Sequence, residues 1–212
     1  LRYKGFIMAL IKLNNRGVRN VSAFGSVVGG SMTFIKKLTA DGSGTSLSFV
    51  NGSSDVVLDS TYKEYLFTYN NIHPATNEAG LYVNFRDGGS SYDATKTTTI
   101  FVAEHKEDGS GGALNYDTGG DLAQSTAAQK LTGNIGNDND QSSAGYLHLF
   151  NPSSTTFVKH FIGVGHEYQG ADYANVNYVA GYCNVTAAID GVQFSMSSGN
   201  MDAGDICLYG IK

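Results

Sequence analysis

Five histidines, nineteen carboxylates and two cysteines are the side chains of this 212-residue chain most able to do chemistry. Their spacing decides how much they can do. His148 and His160 flank Asn151-Pro152-Ser153-Ser154, a turn signal between two alternating runs. A register that sets them opposite each other would bring the two rings face to face. A zinc site there needs further ligands, and none is identifiable, so partly buried, hydrogen-bonded histidines are the expectation. His73 precedes Pro74 in a turn, and His166-Glu167 reads as part of a glycine-flanked loop. A glycosidase needs two facing carboxylates. Glu64 and Glu104 lie in strand-like runs, but strand carboxylates ordinarily face solvent. Asn134, Asn137 and Asp138-Asn139-Asp140 form an oxygen-rich loop of the kind calcium accepts, without the EF-hand spacing to a final Glu. A plain acidic loop is expected there. Cys183 and Cys207 read as reduced thiols, bridged only if adjacent strands bring their Cβ atoms together. The chain has no GxSxG elbow, phosphate loop, dinucleotide fingerprint or HExxH motif. The expectation is therefore no catalytic residue, no metal ligand set and no cofactor.

The tyrosines are more suggestive. Tyr146, Tyr168, Tyr173, Tyr178 and Tyr182 cluster in the second half of the chain. A tyrosine supplies contact area at low entropic cost and carries a polar handle. Core packing, a subunit interface and a sugar-stacking surface share this signal, in that order of expectation. Tyr168 and Tyr173, with Asp172 between them, form the candidate glycan-binding set.

The elements that must position these residues are strands. Thr61 to Phe85 reads as two strands and their connection. Tyr65, Phe67 and Tyr69 share one side of a two-residue period, with Glu64, Leu66 and Thr68 on the other. Asn70, Asn71, Pro74 and Asn77 break the run. Leu81, Val83 and Phe85 resume it. Further alternating runs cover Met32–Leu38, Leu47–Val50, Thr97–His105, Gly145–Phe150, Thr156–Val164, Asn177–Asn184, Ile189–Met196 and Asp205–Ile211. Residues 165–175 read as loop. Asp121–Leu131, with Ala123, Ala127 and Ala128, is the best helix candidate. Lys106–Ser143 otherwise reads as an exposed loop insertion. Roughly nine to eleven short strands, 27 glycines and two prolines predict an all-β chain. The expected fold is an antiparallel two-sheet β-sandwich of jelly-roll type, formed by residues 31–212.

Charge is unevenly placed. Residues 1–37 carry Arg2, Lys4, Lys12, Arg16, Arg19, Lys36 and Lys37 and no acid, leaving seven basic against nineteen acidic side chains on the remainder. A basic arm at residues 1–30, followed by an acidic body, suits an acidic partner surface, including a neighbouring copy. A solubilising terminus is the plainer reading. The basic residues are too sparse to predict nucleic-acid binding. No stretch approaches the length of a membrane span, and no secretory signal is recognisable. Met8 opens MALIKLNNRG, which would itself serve as a translation start.

The runs MALIKLNNRGVRNV, STYKEYLFTYNNIHPATN, GYLHLFNPSSTTFVKHFI and FSMSSGNMDAGDICLYGIK resemble a family of virion structural or tail-fibre-like proteins of tailed bacteriophages of marine bacteria, cyanobacteria especially. The resemblance covers most of the chain and is weakest from Lys106 to Asp138. It implies a non-enzymatic virion component present in many copies, as capsid decoration, fibre or tail-associated protein. The arm, through Leu10, Ile11, Lys12, Leu13, Arg16 and Arg19, would anchor each copy to other virion proteins. A homo-oligomer is expected, a trimer by analogy with fibre and decoration proteins. A host-surface glycan-binding module used in adsorption is the alternative.

Overall fold

The computed structural model describes residues 31–212, which fold as an all-β structure of two antiparallel sheets. The arm residues proposed as anchors lie outside the described residues. In chain order the strands are β1 (Met32–Thr39), β2 (Ser46–Val50), β3 (Glu64–Pro74), β4 (Leu81–Arg86), β5 (Lys96–Lys106), β6 (Gly112–Tyr116), β7 (Gln129–Lys130), β8 (Ser143–Phe150), β9 (Lys159–Tyr168), β10 (Tyr173–Cys183), β11 (Gly191–Met196) and β12 (Met201–Ile211). The large sheet has eight strands in the order β1-β12-β3-β8-β9-β10-β5-β6. The small sheet has four, in the order β2-β11-β4-β7. No helix among the described residues is long and apolar enough to cross a membrane.

The period-2 reading of Thr61–Phe85 holds. Tyr65, Phe67 and Tyr69 are buried, as are Leu81, Val83 and Phe85. The two strands belong to different sheets, so their connection carries the chain from one layer to the other. Between the sheets, Phe67 of β3 meets Phe49 of β2 edge-on at 5.3 Å and Phe194 of β11 at 5.4 Å. Phe85 packs on Phe161 at 4.9 Å. Aromatic contacts of this kind add about 0.5–1.5 kcal/mol beyond the area they bury.

Several expectations need correction. Asn70 and Asn71 do not end β3. They form an irregularity, with Asn71 at φ 52°, after which Ile72 returns to the core and the strand continues to Pro74. Asp121–Leu131 is not a helix. Leu122 and Ser125 hydrogen-bond the backbone of Thr98 and Lys96, extending the ladder at the edge of β5 beyond β6, and Gln124 has φ 49°. Alanine content favours a helix only weakly, and edge pairing overrides it here. The insertion at 106–143 is not wholly exposed, since it supplies β6 and β7 and sends Leu131 and Ile135 into the core. Residues 165–168 and 173–175 are strand, and only 169–172 form the turn between β9 and β10. Across the β8–β9 hairpin, His148 pairs with Ile162 rather than His160. The expectation of reduced thiols, by contrast, holds: Cys183 and Cys207 are both free, on β10 and β12, strands that are not neighbours.

Two buried features fix the register of the central strands. The first is a close approach. The Tyr69 hydroxyl donates to the Val164 carbonyl at 3.2 Å and lies over Gly145 and Gly165, which face each other across β8 and β9. A Cβ on Gly165 would lie 2.5 Å from the Leu131 carbonyl and 2.7 Å from the Tyr69 hydroxyl. The second is a cross-strand row of Lys96, Cys183 and Lys159, all fully buried. Lys96 Nζ donates to Asn84 Oδ1 at 2.6 Å and to the Ala94 carbonyl at 2.7 Å. Lys159 Nζ donates to the carbonyls of Val185, Ser154 and Phe157. Burial lowers Lys96 to about 8 and depresses Lys159, while it pushes the Cys183 thiol up to about 12.

Two predictions follow from these features. Gly165→Ala should lower stability by about 1–3 kcal/mol in urea denaturation, because backbone and a buried hydroxyl must move. Between pH 8 and 9 the unfolded chain binds more protons than the folded one at Lys96, so stability should rise with pH, by at most about 1.4 kcal/mol per unit. The raised Cys183 opposes this increasingly from about pH 8 upward, because the folded state keeps a proton the unfolded chain is losing. Lys96→Met should flatten the rise in a pH series of melting temperatures, leaving only what the depressed Lys159 contributes.

Candidate functional site

Side chains from β5, β9 and β10 meet on the outer face of the large sheet. Strand alternation sends Phe101, Ala103 and His105 of β5 outward, with Ile162, Val164, His166 and Tyr168 of β9. On β10 the outward set is Ala174, Val176, Tyr178, Ala180 and Tyr182. At one end of this face, His105, Glu107, His166, Tyr168, Asp172 and Ala174 line a hollow of about 310 Å³. Ala174 pairs with both His105 and Tyr168, so its short side chain forms the floor between two larger walls. The Tyr168 hydroxyl donates to Glu107 Oε2 at 3.1 Å and lies 3.4 Å from Asp172 Oδ1. The hydrogen bond to Glu107 holds the phenol above its ordinary range, with the two carboxylates adding to the effect. Asp172 reaches this position from a tight turn: its φ is 64°, its N–H donates to the Gln169 carbonyl at 3.0 Å, and its carbonyl accepts from Glu107 N–H at 2.9 Å.

The structure thus brings Tyr168 and Asp172 of the glycan set together and separates Tyr173 from them. Tyr173 begins β10 and turns toward Lys106, whose Nζ lies 5.9 Å from the ring centre, and toward Gly111. His105, His166 and Glu107 complete the hollow. Sequence reasoning did not link them, since they meet only through the β5–β10–β9 register.

Glu167 lies behind this end of β9 on the opposite face. It is fully buried in the strand, not on a loop. Its carboxylate accepts from Gly133 N–H, from Asn134 N–H at 3.2 Å, and from the side-chain amides of Asn175 at 2.9 Å and Asn177 at 3.5 Å. Burial pushes its pKa up, and these donors pull against that shift. The arrangement ties the segment after β7 to β9 and β10, and so stiffens the strand end that presents His166 and Tyr168.

The rest of the outer face is apolar and open. Phe101 and Tyr178 stack at 4.8 Å and 13°. They are 44% and 41% exposed, with Ile162 at 49%, Tyr146 at 39% and Tyr116 at 53%. Placing these tyrosines in the core is therefore corrected: Tyr146, Tyr168, Tyr178 and Tyr182 all alternate outward, because the intervening residues face the small sheet. Nearby, His148 Nδ1 contacts Glu64 Oε1. Glu64 and Glu104 lie on strands separated by β8, β9 and β10, about 19 Å apart across the strands alone, and they sit at opposite ends along them. That is too far for a glycosidase pair. Among the described residues, no three His, Cys, Asp or Glu side chains converge on a metal position.

Glu167→Gln would aim an amide N–H₂ at groups that are all donors. It should cost about 1–3 kcal/mol in stability, and hydrogen exchange should show faster opening of residues 131–136 than of β3. An unchanged midpoint would contradict the role given to this carboxylate.

Comparison with known proteins gives no match to a family model, to a curated protein or to a solved structure.

Proposed function

We propose that this chain is a non-enzymatic structural protein of a tailed-bacteriophage virion. It is a homo-oligomeric component of the particle surface, as capsid decoration, fibre or tail-associated protein. The observation that carries the assembly reading is the open aromatic face of the large sheet. Three stretches of its rows hold no Lys, Arg, Asp or Glu: Leu114–Ala103–Val176–His166 from β6 to β9, Tyr116–Phe101–Tyr178–Val164–Tyr146–Thr68–Cys207 from β6 to β12, and Thr99–Ala180–Ile162–His148–Leu66–Tyr209 from β5 to β12. A broad, charge-free aromatic surface on an acidic body is what a packed subunit contact requires. The virion assignment comes from the resemblance of the sequence runs given above. In this reading the arm, through Leu10, Ile11, Lys12, Leu13, Arg16 and Arg19, anchors each copy to other virion proteins.

Antibody labelling of particles in electron micrographs tests the assignment. Label across the head or along the tail and fibres is the expected result. Particles that carry no label would overturn it.

The hollow around Tyr168 favours a second reading, recognition of a host-surface glycan. An aromatic platform between carboxylates suits vicinal sugar hydroxyls, and the carboxylates disfavour acidic sugars. On a glycan array the full chain should bind neutral sugars, and Tyr168→Ala should lose that binding. Equal signals from both proteins would sink this reading.

A further inference from the structure

The aromatic face carries its own complement. Its ridge is the row Tyr116, Phe101, Tyr178, Val164 and Tyr146. One row along, about 7 Å away along the strands, the side chains shrink to Thr99 and Ala180, followed by Gly181. Here the surface falls into a concavity of about 470 Å³, bordered by His160, Ile162 and Tyr182 and floored by Gly181 and Phe161. A Cβ on Gly181 would lie 2.6 Å from Thr98 Cγ2 and 3.0 Å from the Phe161 ring, so the floor stays bare because the core beneath it is full.

We propose that the occupant of this face is a second copy of the same chain, packed face to face about a two-fold axis. The Phe101–Tyr178 ridge of each copy enters the groove over Ala180 and Gly181 of the other. The proposal rests on reading the face as an assembly surface, and three further observations support it. A ridge and a groove side by side on one face are what an isologous contact needs, since residue i then meets j while j meets i. Charge points the same way: the chain carries net −5, with its basic side chains concentrated in residues 1–37, so two bodies meet at least cost where neither presents a charged group. Area suffices for a modest interface. The three charge-free rows, about 20 Å along the strands by about six strands at about 4.8 Å spacing, cover on the order of 550 Å² per copy. Two copies would bury about 1,100 Å², above the roughly 1,000 Å² of a specific contact. A trimer would need two different patches on each copy, whereas this face offers one self-complementary patch.

Sedimentation of the full chain over a concentration series tests the proposal. The wild type should be a dimer. Ala180→Arg, which fills the groove, and Tyr178→Ala, which cuts the ridge, should each weaken association at least about thirty-fold, the loss typical of a central aromatic anchor. Phe157→Ala, in the β8–β9 connection, outside the residues of the ridge and groove and 70% exposed, should leave it unchanged. If either face variant loses its circular dichroism spectrum, Thr99→Lys, exposed in the same groove row, takes its place. A monomeric wild type, a trimer, or face variants that associate like wild type would each overturn the two-fold contact. Particle labelling is read separately, so a monomer found on particles defeats this inference and leaves the virion reading standing.

Discussion

A one-residue slip of β9 against β10 would exchange the two faces of β9, and everything else depends on preventing it. In the observed register Gly163, Gly165 and Glu167 face inward on β9, with Asn175, Asn177 and Val179 on β10, while Val164, His166, Tyr168, Val176 and Tyr178 face outward. Strand side chains have a period of two, so any odd shift would bury Ile162, Val164, His166 and Tyr168 and expose the Glu167 carboxylate. The inward set admits no such shift. Gly145 and Gly165 fit beneath the Tyr69 hydroxyl, and Glu167 fits four donors from two segments.

This inward set has a consequence for the outward one. Glycines and amides occupy the middle of the inner face, where Leu131 and Ile135 cross beneath β8 and β9. Apart from Ile100, Phe161 and Val179, most of the larger apolar side chains of β5, β9 and β10 lie on the other side. An antiparallel sheet with one solvated face ordinarily alternates apolar in and polar out. Here the outer rows hold Phe101, Tyr146, Ile162 and Tyr178 at roughly two-fifths to a half exposure. Solvent gains nothing from such a surface, and a packed partner does. The hollow around Tyr168 ends the same face and shares its strands, so assembly and ligand contact would compete for neighbouring residues.

The sequence was legible where alternation is clean and a turn signal bounds it. The sets around Tyr65 and Leu81 and the hairpin across Asn151-Pro152 are of this kind, and so is the all-β class. It misled where small residues hide the period. Gly163 and Gly165 interrupt the apolar pattern of β9, so His166 and Glu167 read as loop, although Phe161, Gly163, Gly165 and Glu167 keep one parity throughout. The alanines of 121–131 signal helix only if nothing else claims the backbone, and the free edge of β5 claims it. The Tyr168 hollow is built by three strands distant in sequence, so Tyr168 and Asp172 could be singled out while Glu107, His105 and His166 could not be joined to them.

If the chain assembles through its charge-free aromatic face, those side chains must lose solvent when it does. Hydroxyl-radical footprinting of the aromatic side chains, in the isolated chain at high dilution and in intact particles, tests this directly. Phe101, Tyr116, Tyr146 and Tyr178 should lose reactivity on assembly, while buried Tyr65 and Phe67 should stay unreactive in both states. Equal reactivity of the four face residues in both states, with protection appearing elsewhere, would contradict assembly through this face.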